Sequence, residues 1–302
     1  MSLLRKYLQS GKFVITAEAS PPKGTNSNIL KEKAKLYRGK AVAVNVTDNQ
    51  RAIVKMSPVP SSLILLQEGV EPVMQITCRD RNRLALQSEL LGANALGVKN
   101  VLALTGDHIS AGDHPEAKPV FDLDSFLLIH LIQKLNNGYD FNDHPLDGKT
   151  DYFIGGVINP CSANMELQLL RLEKKVKAGV EFIQTQAVYD LDIYEKFYRE
   201  AKKFGIYILG GILLLKSARM ARFLNAKVPG VRVPDKLIEI LERSSNPAEE
   251  GIRIARDLIY GIADFAEGVH LMSVGQEQQL SRLLDEIIRE KPDLYTPPAI
   301  NQ

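Results

Sequence analysis

Three polar residues follow short apolar runs of the sequence, at points where a side chain can meet a bound molecule. Glu18 ends the run FVITAE and precedes the stiff segment ASPPK, Asp107 ends LALTGD, and Gln186 lies within QTQAVYD. Beside an apolar ligand that excludes water, a carboxyl group favours its protonated form, which would suit Glu18 to general-acid chemistry. A glutamine amide both donates and accepts hydrogen bonds, as the edge of a heterocycle requires. Structural interpretations also stand: an ion pair with a lysine for Glu18, an ordinary Gly-Asp turn, and a hydrogen bond at a strand end for Gln186.

A glycine and a basic cluster add two further candidate ligand contacts. Gly106 would let the backbone approach a flat ligand closely. Arg171, Lys174 and Lys175 lie on one predicted helix, where positions 171 and 175 share a face and could neutralise phosphate groups. A solvated basic face is the alternative interpretation of this cluster.

Eight apolar runs separated by helical segments must position these residues. Most of the runs are continuously apolar, as is typical of parallel strands that are covered on both faces. Strands are predicted at 13–18, 41–47, 72–77, 101–105, 153–159, 181–186, 206–212 and 268–273. Eight strand–helix units in a chain of 302 residues indicate a (β/α)8 TIM barrel. A doubly wound open sheet is the alternative, but no GxGxxG motif follows any strand.

The pattern departs from plain alternation near its end. Two extra helical segments lie between positions 228 and 268, before strand eight. Long polar links at 108–121 and 136–152 are interpreted as functional loops. We predict a single barrel domain over 1–302, with a poorly ordered tail at 292–302.

Composition limits the classes of partner and compartment. A net charge of +2, from 38 basic and 36 acidic residues, argues against nucleic acid as the main partner. The first residues lack the long apolar core of a signal peptide, and no apolar run is long enough for a membrane span, so we expect neither. Its two cysteines, Cys78 and Cys161, cannot build a cluster or disulfide framework, which favours a reducing cytoplasm. His108 and His114 fit no metal motif, so we expect them to be solvent-exposed and predict no metal site.

In a TIM barrel the active site lies at the carboxyl ends of the strands. The residues expected there are polar groups at one rim of an apolar barrel, as a small-molecule site requires. They are Glu18, Thr47, Asp48, Gln75, Thr77, Thr105, Gly106, Asp107, Asn159, Gln186, Gly210, Gly211 and Met272.

Over positions 13 to 285 these motifs resemble the methylenetetrahydrofolate reductase family. AEASPP, NVTD, QITC, LALTGD and GGILLL occur in the family's order, and KKVKAGVEFIQTQAVYD is the most specific of the shared segments. The resemblance implies a flavin, usually FAD, that reduces 5,10-methylenetetrahydrofolate to 5-methyltetrahydrofolate. It implies that Glu18 is the general acid, that Asp107 contacts the pterin and tunes the flavin, and that Gln186 holds the pterin. Flavin contacts are implied for Thr47, Gln75, Thr105, Gly106, Asp107, Asn159, Arg171, Lys174 and Lys175.

Four positions depart from the family's pattern. Gln75 stands where many members have histidine, and Gln168 and Arg171 replace an acidic residue and an asparagine, which leaves FMN as an alternative to FAD. Ala218 stands where well-known members place an aromatic ring against nicotinamide. The electron donor is therefore either NAD(P)H or a partner subunit that carries iron–sulfur clusters, and homo-oligomers and hetero-oligomers both stay open. A pterin-binding methyltransferase barrel and a non-catalytic barrel subunit are the alternative functions.

Overall fold

The computed structural model describes residues 1–228 and 230–299 as a closed barrel of eight parallel strands. Each strand pairs with its neighbours in chain order, and β8 pairs with β1 to close the barrel. The strands are β1 (Val14–Ala19), β2 (Ala43–Val46), β3 (Pro72–Thr77), β4 (Asn100–Leu104), β5 (Phe153–Ile158), β6 (Phe182–Ala187), β7 (Tyr207–Leu213) and β8 (Gly268–Met272). The predicted TIM barrel is confirmed, and the open-sheet alternative is wrong.

The strand bounds differ from the predicted ones by at most two residues at the start and one residue at the end. The largest difference is at β2, predicted over 41–47 and observed over Ala43–Val46. Ala41 and Val42 are apolar and buried but precede the ladder, so hydrophobicity alone extends the strand too far. Glu18 is paired with Asn45 inside the ladder, so its backbone is fixed by the sheet.

Helices cover the outside of the barrel. They are α1 (Leu3–Gln9), α2 (Asn28–Tyr37), α3 (Pro58–Gln67), α4 (Arg83–Ala95), α5 (Ser125–Asn137), α6 (Met165–Ala178), α7 (Leu191–Ala201), α8 (Ala218–Lys227), α9 (Asp235–Arg243), α10 (Pro247–Ala263) and α11 (Glu277–Glu290). The two extra helices predicted before strand eight are confirmed as α9 and α10. The sequence analysis did not identify α1, whose first backbone N–H groups at Leu3 and Leu4 donate to Glu71 at 2.6 and 2.8 Å.

Caps set the helix ends that face the site. Asp124 accepts hydrogen bonds from the backbone of Phe126 and Leu127 at the start of α5, and Asn164 accepts one from Leu167 at the start of α6. These side chains satisfy N–H groups that a helix cannot pair internally. Both helices therefore begin at defined residues next to the carboxyl ends of the strands.

The side chains inside the barrel change from aromatic to polar along its axis. At one level Phe153 and Phe182 stack with ring centroids 4.8 Å apart. Towards the carboxyl ends the interior holds buried polar side chains, among them Thr16, Asn45, Gln184 and His270. Buried polar groups are costly unless they are hydrogen-bonded, so these side chains must bond to one another. We call this buried polar layer the floor of the site.

Tyr295 fixes part of the segment for which a poorly ordered tail is predicted. Its ring is buried, and its hydroxyl donates to the carbonyl oxygen of Lys40 at 2.7 Å. Residues 300–302 lie outside the described residues, and the order of the tail stays a prediction. Within 1–228 and 230–299, no helix combines the length and apolar character needed to cross a bilayer.

Candidate active site

A pocket of about 360 Å³ opens at the carboxyl ends of the strands. That size is in the range of small-molecule sites. Six of the predicted site residues line it: Glu18, Gln75, Thr105, Gly106, Asp107 and Gln186. Asp48, Thr77 and Met272, also expected at the strand ends, line it as well.

Glu18 lies at the base of this pocket with its side chain only 10% exposed. Nε2 of Gln50 donates to its Oε1 at 3.5 Å, and Nε2 of Gln75 donates to its Oε2 at 3.5 Å. Nε2 of His270 lies 3.9 Å from Oε2. Among the described residues the basic side chain that faces Glu18 is thus a histidine, not the lysine of the structural interpretation.

His270 is held by a chain of buried polar side chains. Its Nδ1 lies 3.0 Å from Oγ1 of Thr16, and Nε2 of Gln184 donates to the same oxygen at 3.4 Å. Gln184 and Asn45 exchange two amide hydrogen bonds, at 2.6 and 3.1 Å. These contacts orient the imidazole ring so that Nε2 faces Glu18.

The sequence analysis missed His270 as a site residue, although a signal was present. In GVHLM the residues Val269 and Leu271 alternate with it, so His270 points to the barrel interior. A titratable ring on the interior face of an apolar strand needs a polar partner, and Thr16 on the paired strand provides one.

Gln186 reaches the pocket because β6 is irregular there. The register between β6 and β7 shifts between Gln184 and Ala187, as in a β-bulge. Oγ1 of Thr185 accepts the backbone N–H of Gly211 at 2.8 Å and donates to the carbonyl of Gln186 at 2.8 Å. Bulges commonly redirect a side chain next to an active site. Here the bulge leaves Gln186 exposed at the pocket wall.

The turn after β4 brings Asp107 to the wall of the pocket. Gly106 has φ +93°, and a Cβ there would lie 3.1 Å from the Cβ atoms of Arg79 and Thr77. A side chain at this position would be both strained and crowded. Oδ2 of Asp107 accepts the backbone N–H of Arg51 at 3.1 Å. The turn therefore holds the carboxylate in a fixed place.

A buried arginine that the sequence analysis did not single out supports this wall. Arg79 is 1% exposed, and its Nε and Nη2 atoms donate to Asp80 at 2.8 and 2.6 Å. The hydrogen bond to Asp80 is the main reason that the pKa of Arg79 is raised. Its Nη1 donates to the backbone carbonyl of Asp107 at 3.4 Å. Arg79 therefore stays charged and fastens the Asp107 turn to β3.

The remaining five predicted cofactor residues are not among the described residues that line the pocket. Thr47 is buried and donates to Ser20, and Oδ1 of Asn159 accepts the backbone N–H of Cys161 at 3.2 Å. Arg171 and Lys174 are exposed on α6. Their cofactor contacts stay predictions.

Lys175, on the same helix, is 4% exposed, so the basic cluster is not a uniformly solvated face. Its Nζ donates to Oγ of Ser125 at 3.0 Å and lies 4.9 Å from the ring centre of Phe126. Burial lowers its pKa to about 8. Because Ser125 lines the pocket, Lys175 is connected to the site through this hydroxyl.

The pocket wall also has an apolar part, formed by Leu102, Leu104, Val157 and Met272. Polar groups on two sides of an apolar surface fit a flat heterocycle such as a flavin or a pterin. None of the described residues lining the pocket is Phe, Tyr or Trp. In the part of the chain that the structure describes, no three His, Cys, Asp or Glu side chains are grouped to hold a metal ion. His108 and His114 are exposed, as predicted.

Comparison with known proteins gives relatives along most of the chain. A probable methylenetetrahydrofolate reductase (NADPH) of Caenorhabditis elegans is 24% identical over 303 residues, which cover 94% of this chain and 43% of that protein. The 5,10-methylenetetrahydrofolate reductase of Salmonella typhimurium is 26% identical over 210 residues, or 65% of this chain and 64% of that protein. The chain thus spans less than two thirds of the length of either relative.

Among solved structures, the barrel superposes with a TM-score of 0.69 on an uncharacterized protein from Clostridium thermocellum that binds two copies of 5-methyl-5,6,7,8-tetrahydrofolic acid. The two are 14% identical, and the match covers 95% of this chain and 100% of that one. This likeness shows the fold. The family model described as methylenetetrahydrofolate reductase matches residues 3–288. With that match across the whole barrel, the chain belongs to the methylenetetrahydrofolate reductase family.

Proposed function

We propose that this chain reduces 5,10-methylenetetrahydrofolate to 5-methyltetrahydrofolate with a bound flavin. The observation that carries the proposal is the convergence of Glu18 from β1, Asp107 from the β4 turn and Gln186 from the β6 bulge on one pocket. They provide a carboxyl group for proton transfer, a fixed negative charge and an amide for a heterocycle edge.

Glu18 is the proposed general acid. Its protonated carboxyl group donates to the folate nitrogen that leaves the methylene carbon when the five-membered ring opens. His270 lies 3.9 Å from the same carboxyl group and is oriented by Thr16, so it can return a proton to Glu18 after each turnover. Enclosure at the base of the pocket keeps this proton away from bulk water.

Asp107 and Gln186 are the proposed folate contacts. The Asp107 carboxylate favours positive charge that develops on the folate as its ring opens. Gln186 can donate to and accept from the pterin edge at the same time. Because one residue is fixed by Arg51 and the other by a bulge, both are positioned before the ligand binds.

FAD is the proposed cofactor, with FMN as the alternative. When bound, the flavin would supply the hydride, as cofactors supply the hard chemistry in most redox enzymes. Thr105, Gly106 and Gln75 line the pocket and would hold the ring. The exposed cations Arg171 and Lys174 on α6 would serve the phosphate groups.

We propose further that a partner protein with iron–sulfur clusters delivers the electrons, with NAD(P)H as the alternative donor. Ala218 begins α8 and is buried, and no Phe, Tyr or Trp side chain is present among the described residues that line the pocket. A nicotinamide ring would therefore have no phenyl, phenol or indole ring in the pocket on which to stack. We also propose a cytoplasmic location, which the presence of only two cysteines favours.

The test uses the purified chain with added FAD or FMN, reduced methyl viologen as the electron donor and 5,10-methylenetetrahydrofolate as the acceptor. We expect a yellow protein that forms one 5-methyltetrahydrofolate for every two viologen radicals oxidised. A chain that binds neither flavin overturns the proposal. If a chain that binds neither flavin transfers the methyl group of 5-methyltetrahydrofolate to a thiol acceptor, the methyltransferase alternative is correct.

A further inference from the structure

The loop after β2 contains a strained turn at the edge of the pocket. Asn49, Arg51 and Ala52 have φ values of +42°, +59° and +55°, in the left-handed region that side chains rarely adopt. Such conformations are strained and persist only where the surroundings hold them. Three such residues within four positions indicate that contacts with neighbouring segments hold the turn in this conformation.

Neighbouring loops hold the turn from several sides. Oδ2 of Asp107 accepts the backbone N–H of Arg51 at 3.1 Å. Oδ1 of Asp113 accepts the backbone N–H of Val54 at 3.1 Å, and its Oδ2 accepts Nζ of Lys23 at 2.5 Å. The β4–α5 loop also lies against the turn at Gly112, where a Cβ would be 1.8 Å from the carbonyl oxygen of Ala52.

What the strained turn presents to the pocket is the side chain of Gln50. Its Nε2 donates to Oε1 of Glu18, while Nε2 of Gln75 donates to Oε2, both at 3.5 Å. The two amides approach the carboxyl group from different elements and engage different oxygens. Gln75 is fixed on β3, but Gln50 depends on its turn.

We infer that Gln50 is a positioning residue for Glu18, and that Asp107 and Asp113 hold it there by fastening the strained turn. This inference rests on the proposed function, in which Glu18 donates the proton. It gives Asp107 a second task, because the same carboxylate that faces the pocket holds the turn beside Glu18.

Other charged or titratable groups also surround Glu18 and bear on its protonation. His270 faces it from β8. The pKa of Tyr37 on α2 is raised mainly by burial, and the nearby Glu18 charge adds to the increase. Across the pocket stand Asp48, Arg79 and Asp107. All of these residues keep their identity in the Gln50 variants, so the substitution changes only the group at position 50.

The first test compares Gln50→Met and Gln50→Glu with the wild-type holoenzyme. Methionine keeps the length of the side chain but has no N–H donor, and glutamate adds a like charge. A donor to a carboxylate favours its ionised form, and a like charge disfavours it. We therefore expect the alkaline limb of the pH–rate profile to move up by about half a pH unit in Gln50→Met and by about one unit or more in Gln50→Glu. At the optimum, kcat should fall roughly 5- to 20-fold in Gln50→Met because Glu18 is less well oriented.

The second test uses Asp113, which lies outside the pocket lining. Asp113→Ala removes the acceptor for Val54, whereas Asp113→Asn keeps an oxygen for it. We expect Asp113→Ala to move the alkaline limb in the same direction as Gln50→Met, and Asp113→Asn to move it less. This pair remains informative if a Gln50 variant fails to fold.

The outcomes distinguish a failure of the proposed function from a failure of the inference about Gln50. A wild-type chain that does not reduce methylenetetrahydrofolate overturns the proposed function. If the wild type is active and the Gln50 variants lower kcat without moving the pH midpoint, or change neither, Gln50 does not position Glu18 and the inference is wrong.

Discussion

Nε2 of His270 lies 3.9 Å from Oε2 of Glu18. His270 is on β8, the strand that pairs with β1 and closes the barrel. The register explains this contact: Thr16 pairs with His270, and Glu18 is two residues further along β1 on the same face. The acid and its neighbour therefore come from opposite ends of the chain and meet only when β8 completes the barrel.

Replacing Glu18 with glutamine tests its role as the general acid. Glutamine keeps the shape and the contact with Gln75 but cannot supply the proton. We expect flavin binding to be retained and methylenetetrahydrofolate reduction to fall by roughly 10²- to 10⁴-fold, the usual cost of a lost general acid. Steady-state viologen oxidation together with flavin titration measures both quantities. Wild-type turnover in this variant would show that Glu18 is structural.

Gly106 should tolerate no side chain. In Gly106→Ala the new Cβ meets Arg79 and Thr77 and also forces alanine into a left-handed backbone. Gly148→Ala is the matched control, because its φ is +102° but nothing lies within 4 Å of the new Cβ. We expect a loss of about 1 kcal/mol in unfolding free energy for the control and about 2 to 4 kcal/mol for Gly106→Ala. Equal losses in urea denaturation would mean that crowding at Gly106 contributes nothing.

Lys175 should destabilise the fold at neutral pH. Burial lowers its pKa to about 8 from an ordinary 10.5, so the unfolded chain binds this proton more tightly than the folded one. Its contribution to stability therefore rises with pH between about 8 and 10.5. Lys175→Met should raise the unfolding free energy by roughly 1 to 3 kcal/mol at pH 7, and by less at pH 10.

The control for this substitution is Lys177→Met on the same helix, where the side chain is 73% exposed and paired with Glu173. It should change stability by less than about 1 kcal/mol at either pH. Urea denaturation of both variants at the two pH values makes the comparison. If the gain in unfolding free energy of Lys175→Met is the same at both pH values, Lys175 is charged equally in the folded and unfolded states.

Electron transfer from NADH should be slow in the isolated chain. Stacking of a base on an aromatic ring is worth roughly 1 to 3 kcal/mol in nucleotide sites, and about 1.4 kcal/mol is tenfold in affinity. We expect NADH to bleach the flavin at least about tenfold more slowly than reduced viologen does. Stopped-flow absorbance of the flavin measures both rates. Bleaching by NADH at the turnover rate would identify NADH as the donor and remove the need for a partner.

The barrel itself could be predicted from the sequence because its signal is local and repeated. Each buried strand is a short apolar run, and most of the following helices have a side-chain cap or a glycine stop, as α4, α5 and α6 do. The residues at the strand ends then fall at one rim by topology alone, which is why Glu18, Asp107 and Gln186 were placed together in advance.

The missed residues depend on contacts between distant segments. Arg79 and Gln50 lie in loops, and their positions depend on Asp80 and on the turn held by Asp107 and Asp113. Helical spacing predicts Lys175 on one face with Arg171 as a candidate phosphate contact, but it does not reveal that Lys175 is buried against Ser125 and Phe126. Hydrophobic periodicity carries no information about such pairings.

The amide pair formed by Asn45 and Gln184 has a mechanical consequence. These residues lie on β2 and β6, four strands apart in a ring of eight, so their hydrogen bonds span the full width of the barrel. Apolar contacts tolerate small sliding movements, whereas hydrogen bonds fix both a length and a direction. The separation of β2 and β6 at the floor of the pocket is thus set by these two hydrogen bonds. The floor of the pocket therefore resists widening when a ligand binds.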